Sequence, residues 1–335
     1  MSKLFIPEGY QSTLSLYETQ TAIGAIKRIF EKNLSSALDL HRVSAPLFVD
    51  PQTGLNDNLN GIERPVEFDI RETQTNAQIV HSLAKWKRMA LYRYGFPVGK
   101  GLYTDMNAVR RDEEMDNLHS IYVDQWDWEK VIDKDSRNVE FLRETVTAIV
   151  DAICNTSDQI RAMYPALDVT LSRNVSFITT QQLEYIYPEL TPKEREDAYV
   201  KEHKTVFLMQ IGDMLKSGIK HDGRAPDYDD WALNGDILFW NDTVNCAFEI
   251  SSMGIRVDEQ SLDKQLTKAK CDHRRNLPYH KSLLSGELPL TIGGGIGQSR
   301  LCMLLLGKAH IGEVQVSIWD EDTLTGCEAA KICLL

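Results

Sequence analysis

Apolar residues recur at spacings of three and four through Ile23, Ile26, Phe30, Leu34 and Leu38, which predicts an amphipathic helix as the first strong element, about twenty residues into the chain. The run His41-Arg42-Val43-Ser44-Ala45-Pro46 then reads as a short strand closed by proline. Two more strand-like runs follow, 65–70 and 77–81. A helix is predicted from Ser82, as N-cap, to Tyr94, where Gly95 stops it. Residues 101–107 read as a strand. In 121–128 a period of two places Ile121, Val123, Gln125 and Asp127 on one face, so an apolar start gives way to an amide and a carboxylate. That face reads as running from a core into a polar pocket. Further strands are predicted at 205–211, 236–240 and 246–251, with a long helix marked by Val139, Leu142, Val146, Ile149 and Ile153 and a polar one over 191–203.

Consecutive strands outnumber single βαβ crossovers, which favours α+β architecture, a mostly antiparallel β-sheet flanked by helices, over a doubly wound parallel sheet. No repeat and no Pro- or Ser-rich linker divides the chain. One catalytic domain over 1–335 is therefore expected, with a helix-rich insertion at about 133–204.

Charge narrows the function. Against 37 Lys and Arg stand 49 Asp and Glu, a formal net charge of −12. This disfavours a chain built to grip nucleic acid, yet leaves room for a locally basic pocket. The longest uninterrupted apolar run, 301–306, is far too short for a bilayer span. The first residues lack the apolar stretch of a secretory leader, and the six cysteines (154, 246, 271, 302, 327 and 333) show no metal-type spacing. Reduced thiols in a cytoplasmic protein are expected.

The candidate chemistry is concentrated in a few segments. Gly293-Gly294-Gly295-Ile296-Gly297-Gln298-Ser299-Arg300 fits neither GxGxxG nor a P-loop, but leads from an extended glycine run into an apolar helix with an arginine at its start. Such a segment serves a flat ligand with a phosphate equally well as it serves a tight packing joint. Arg110 and Arg111 follow the 101–107 strand, and arginine suits bidentate phosphate or carboxylate contact. Glu249 and Ser251 share a strand face, and Asp236 heads the strand before it. A carboxylate in an apolar strand needs a partner: Mg²⁺, a ribose hydroxyl, or an ion pair with Arg256. The segment 224–231, RAPDYDDW, reads as a polar loop, and Ser82 lacks the GxSxG setting of a serine nucleophile.

Taken together, HSLAKWKR, YVDQWDWEKV, RAPDYDDW and TIGGGIGQSRL, with the segments around Asp57 and 235–256, resemble the ammonia-dependent asparagine synthetases, the aspartate–ammonia ligases of the A type, from about Ile23 to about Val316. Departures lie in the first residues, after Trp231 and in the C-terminal tail. The resemblance implies the fold of class II aminoacyl-tRNA synthetase catalytic domains and a homodimer. Pro46 resembles the dimer-interface motif, Arg110 the second-motif arginine and Arg300 the third-motif arginine.

It also implies a reaction: L-aspartate, ATP and ammonia give L-asparagine through β-aspartyl-AMP, with AMP and pyrophosphate released. On this likeness Arg110, Asp229, Asp236, Glu249, Arg256, Gly295 and Arg300 face ATP, and Asp236 with Glu249 places Mg²⁺. Ser82, Lys87, Gln125, Asp127 and Ser252 face aspartate, with Lys87 on the α-carboxylate. Asp57 serves the ammonia step, while Arg110 and Arg300 act catalytically on the phosphates. Position 2 is Ser, where glutamine-dependent synthetases of the other type expose a cysteine nucleophile, so ammonia is the expected donor. Nucleic acid and membrane are not expected partners. A true tRNA synthetase is disfavoured by the short stretch before the first helix and by the missing basic face. A non-catalytic derivative is disfavoured by the presence of Arg110, Asp236, Glu249 and Arg300.

Overall fold

The computed structural model describes residues 4–59 and 61–335. In chain order the strands are β1 (Leu40–Arg42), β2 (Phe48–Val49), β3 (Glu67–Ile70), β4 (Thr75–Ile79), β5 (Gly101–Val109) and β6 (Tyr122–Val131). They continue as β7 (Ser176–Thr179), β8 (Thr205–Met209), β9 (Asp229–Asn241), β10 (Cys246–Arg256) and β11 (Thr291–Gly297). The helices are α1 (Leu16–Leu38), α2 (Ala84–Tyr94), α3 (Val139–Met163), α4 (Thr180–Ile186), α5 (Pro192–His203), α6 (Glu259–Lys268), α7 (Pro278–Leu284), α8 (Gln298–Leu305) and α9 (Glu321–Ala329).

Eight strands form one sheet in the order β1-β5-β6-β11-β10-β9-β8-β7, and β2-β4-β3 form a small second sheet. Only the outer pairs β1–β5 and β7–β8 of the large sheet run parallel. The mostly antiparallel α+β expectation is met. Sequentially distant β6 and β11 lie side by side at its centre, with Gly295 opposite Asp127 and Gly297 opposite Gln125.

One face of the sheet carries the main core. Phe30 and Leu34 of α1, Val146 and Ile149 of α3 and Leu301 of α8 pack on Trp126, Trp128, Phe248, Ile250, Met253, Ile292 and Ile296. The ring centroids of Phe30 and Trp126 are 4.7 Å apart. This is the alternation of β6 made physical: the tryptophans point into the core, so Gln125 and Asp127 point the other way.

Several local expectations are corrected. α1 begins at Leu16, earlier than expected, because Ser15 and Glu18 close a capping box ahead of the apolar stripe. Ser82 is not the N-cap of α2; Leu83 holds that place without a side-chain cap. The polar loop 224–231 ends early, since Asp229 already enters β9 by pairing with Arg256. The expected long amphipathic helix is met by α3, which starts at Val139 and extends to Met163.

All six cysteines are free, and no described helix is long and apolar enough to cross a membrane. Because Phe30 is fully buried between α1 and the sheet, Phe30→Ala should cost about 3–5 kcal/mol. Equilibrium urea unfolding would measure it.

Candidate active site

β11 is built so that β6 can keep large polar side chains. A Cβ at Gly293 would stand 1.9 Å from Glu129 Oε2, and one at Gly295 would stand 2.3 Å from Gln125 Oε1 and 2.7 Å from Asp127 Oδ1. The glycines therefore leave a trough along β11, and the row Gln125, Asp127 and Glu129 fills it from the neighbouring strand. Here the glycine run serves close approach rather than a turn. At its end Gly297 opens into α8, which carries Arg300 in its first turn.

Over this trough lies a cavity of about 500 Å³. It is lined by Asp57, Ser82, Lys87, Arg110, Gln125, Asp127, Asp229, Glu249, Ser252, Arg256, Gly295 and Arg300. Twelve of the thirteen residues that the resemblance assigns to the site thus share one wall system, including arginines from opposite ends of the chain, while Arg111 is not on the lining. The thirteenth, Asp236, is not on the lining. It sits behind Arg224, whose Nη2 donates to Asp236 Oδ1 at 2.6 Å.

α2 supplies one wall. Lys87 Nζ donates to Gly294 O at 2.8 Å and lies 3.4 Å from Asp127 Oδ1. Asp127 Oδ2 accepts the Leu83 N–H at the head of the helix at 3.1 Å. Burial pushes the Lys87 ammonium down, against the pull of Asp127. Just ahead of α2, Ser82 Oγ donates to Asp57 Oδ2 at 2.7 Å, and Asp57 Oδ1 accepts from Leu59 N at 2.9 Å. The Ser82 oxygen also accepts the Ala84 N–H at 3.4 Å, so it touches the head of α2 although Leu83 is the N-cap.

Arg256 sits at the floor between two carboxylates. Its Nε and Nη2 donate to Glu129 at 2.8–3.1 Å, and its Nη1 donates to Asp229. The alternative of a Glu249–Arg256 pair is not what forms. Burial works to deprotonate the Arg256 guanidinium, but Glu129 and Asp229 outweigh it and hold its proton more tightly than usual. Burial pushes Glu129 up, yet Arg256 brings its carboxyl below the ordinary range.

β10 supplies the opposite edge, with a correction. A bulge between Glu249 and Ser251 adds one residue against β9, so Ser252 rather than Ser251 joins Glu249 on the cavity face. Ser251 is buried without a hydrogen-bond partner for its hydroxyl. Glu249 Oε2 lies 3.5 Å from Arg300 Nη1, which also donates to the Glu249 carbonyl at 2.9 Å. Burial raises the Glu249 carboxyl, but Arg300 and Arg224 bring it below its usual value.

Arg110, just past β5, is different. Its guanidinium makes no hydrogen bond among the described residues, and its ion-pair contact with Glu113 is long, at 3.9 Å. A rigid, always-charged donor fork left unspent at a cavity wall suits an incoming anion.

Sequence reasoning missed Arg224. It links Asp236 to the Ser252 hydroxyl and lines the cavity. The available signal was a lone cation at the head of an acidic segment, RAPDYDDW. Among the described residues no group of three or more His, Cys, Asp or Glu side chains could hold a metal. Asp236 and Glu249 therefore stand as a pair of carboxylates.

Burial and the charges of Glu249 and Asp222 push the Asp236 carboxyl up to about 8, against the pull of Arg224. A carboxyl raised in the folded state contributes stability at low pH and loses it as pH climbs from its unfolded value, near 4, towards 8. Thermal melting of the ligand-free protein between pH 5 and 8 should show this decline, and Asp236→Asn should flatten it.

A model of the aspartate–ammonia ligase family matches residues 17–331. The chain is 60% identical to an aspartate–ammonia ligase of Ruminiclostridium cellulolyticum over 336 residues, covering all of both chains. It is 58% identical to one of Lactobacillus acidophilus over 335 residues, covering 99% of this chain and 100% of that protein. Among solved structures, asparaginyl-tRNA synthetase of Entamoeba histolytica in complex with asparaginyl-adenylate matches with a TM-score of 0.65 at 14% identity, covering 90% of this chain and 66% of that one. The asparaginyl-tRNA synthetase of Pyrococcus horikoshii, complexed with asparaginyl-adenylate, matches with a TM-score of 0.61 at 15% identity, covering 88% and 68%. At such identities these two likenesses speak for the fold alone, that of class II synthetase catalytic domains. The match over nearly the whole length, joined to 60% identity across all of it, places this chain in the aspartate–ammonia ligase family.

Proposed function

We propose that the cavity joins ammonia to the β-carboxylate of L-aspartate with ATP, by way of β-aspartyl-AMP. The observation that carries this reading is the convergence of Arg110, unspent, and Arg300 on the same cavity as the buried Lys87–Asp127 pair. A carboxylate is a poor electrophile, so it must first acquire a leaving group. Its β-oxygen attacks the ATP α-phosphorus, and the bond to pyrophosphate breaks. Ammonia nitrogen then attacks the acyl carbon, AMP leaves with the carboxyl oxygen, and a proton is lost from nitrogen.

The chain's contribution is placement and charge. Arg110 clamps the α-phosphate and the β-carboxylate, and Arg300 holds the terminal phosphates. Lys87 receives the α-carboxylate with the one Nζ donor not directed at Gly294 or Asp127. Gln125, Asp127, Ser82 and Ser252 receive the ammonium group and side chain of aspartate. Asp229, Arg256 and Gly295 form the nucleotide floor, with Arg224 beside them. Asp57, anchored by Ser82, attracts ammonium and takes its proton.

For a divalent cation the chain offers two carboxylates, Glu249 on the cavity wall and Asp236 behind Arg224, so a bound cation would compete with Arg224 for Asp236. When bound, Mg²⁺ would be held by Asp236 and Glu249 and would neutralise charge on the triphosphate. Family likeness further supports a single catalytic domain with a helix-rich insertion at 133–204, a homodimer and a cytoplasmic setting.

Product analysis tests the reaction: AMP and asparagine should appear together only when ATP, aspartate and ammonia are all present. Formation of ADP instead would overturn the adenylate route. Arg110→Ala should lower kcat by about 10²–10³-fold in steady-state assays. Asp57→Asn should spare aspartate-dependent pyrophosphate exchange while suppressing amide formation, and equal loss of both would remove Asp57 from the second step.

A further inference from the structure

Behind the cavity lies a cluster of buried charge that the reaction above does not use. Asp227 is fully buried. Its Oδ2 accepts from Arg274 Nη1 at 3.0 Å, from His280 Nε2 at 3.0 Å and from Lys85 Nζ at 3.4 Å. Lys85 and His280 are themselves almost wholly buried. A carboxylate only accepts, so Nε2 of His280 carries the proton, while His280 Nδ1 and Asp227 Oδ1 have no partner. None of the four side chains lines the cavity.

Three of them, Asp227, Lys85 and His280, belong to segments that do bear on it. Asp227 lies between Arg224 and Ala225 on one side and Tyr228 and Asp229 on the other, all four on the cavity wall. Lys85 is in the first turn of α2, two residues before Lys87. His280 is in α7, against which the Asp57 segment rests: Gly54, with a φ of +75°, lies so close that a Cβ there would stand 2.9 Å from Leu277 and 3.5 Å from His280 Nδ1. One carboxylate oxygen therefore ties together three walls that arrive from distant parts of the chain.

Folding alone does not call for this charge. The backbone of the 226–231 segment is already held by Gln265, whose Nε2 donates to the carbonyls of Pro226 and Asp229 and whose Oε1 accepts from Trp231 N, each at 2.9 Å. Burying one carboxylate with two cations is also a poor source of stability compared with apolar packing. What the cluster supplies is direction, because three charge-assisted bonds to one oxygen leave little freedom for the segments that carry them.

We propose that Asp227 is a positioning residue for the reaction, fixing the spacing between the nucleotide-side wall at 224–229 and the aspartate-side walls carrying Ser82, Lys87 and Asp57. The inference rests on the reading of the cavity as the site of aspartate activation.

The test uses the full chain with Asp227→Asn and the double variant Lys85→Met/Asp227→Asn. Pyrophosphate exchange and amide formation would be measured alongside melting. Asp227→Asn should raise KM for both ATP and aspartate by about tenfold and lower kcat. The double variant, which removes one of the stranded cations, should recover melting temperature but not KM. If Asp227→Asn melts lower while KM and kcat per folded molecule stay native, the role is structural only and the proposal falls. Should Asp227→Asn fail to fold, His280→Ala and His280→Gln decide: Ala should raise both KM values, and Gln, whose amide N–H can reach the same oxygen, should restore them. Native KM in both His280 variants would overturn the proposal. A native enzyme that forms no asparagine would instead overturn the reading of the cavity, so the two failures are distinguishable.

Discussion

The structure depends on the side chains that β11 lacks. Two strands of an antiparallel sheet normally share the space above them, each contributing half of the row. Here Gly293 and Gly295 surrender that space, and Glu129, Asp127 and Gln125 of β6 lean across it. The sheet gains a polar face deep enough to bury a carboxylate, and the opposite face stays apolar because Ile292 and Ile296 keep the alternate positions. Everything else in the cavity is arranged around that floor. Lys87 reaches down to the Gly294 carbonyl, Arg256 is pinned by Glu129, and Leu83 starts α2 on the Asp127 carboxylate.

The electrostatics follow from the same plan. The chain as a whole is acidic, at −12, yet four arginines and a lysine converge on one cavity. They differ in how committed they are. Arg256 is enclosed by two carboxylates and serves the frame. Arg224 and Arg300 are each shared with one carboxylate, Asp236 and Glu249. Arg110 meets Glu113 only at 3.9 Å, too far for a hydrogen bond. This gradation puts rigidity at the floor and available charge at the walls, the order in which a preorganised site must be assembled.

Much of this was legible in the sequence because it is local. The three-four spacing from Ile23 to Leu38 marks α1, and the period of two in β6 separates the tryptophans from Gln125 and Asp127. What was not legible depends on the partner strand or on tertiary distance. Ser82 resembles an N-cap, yet α2 starts one residue later and the Ser82 hydroxyl donates to Asp57, twenty-five residues earlier in the chain. Asp229 looks like loop until β10 pairs with it. Arg224 gains its meaning only once Asp236 and Ser252 lie beside it. Short elements such as β2, α4 and α7 carry too little pattern to be seen at all.

The bulge in β10 has a corollary for how this strand can change. Upstream of it Phe248 and Ile250 face the core, downstream Met253 and Ile255 do, and the reading frame slips once between them. Removing the extra residue would only restore plain alternation, whereas inserting one more there would turn the downstream half inside out, aiming methionine at the cavity and driving Ser252 and Arg256 into hydrocarbon. Substitution at these positions is a matter of degree, whereas a change in length is a matter of parity. The hairpin formed by β9 and β10 can therefore drift in composition far more readily than it can gain a residue at the bulge.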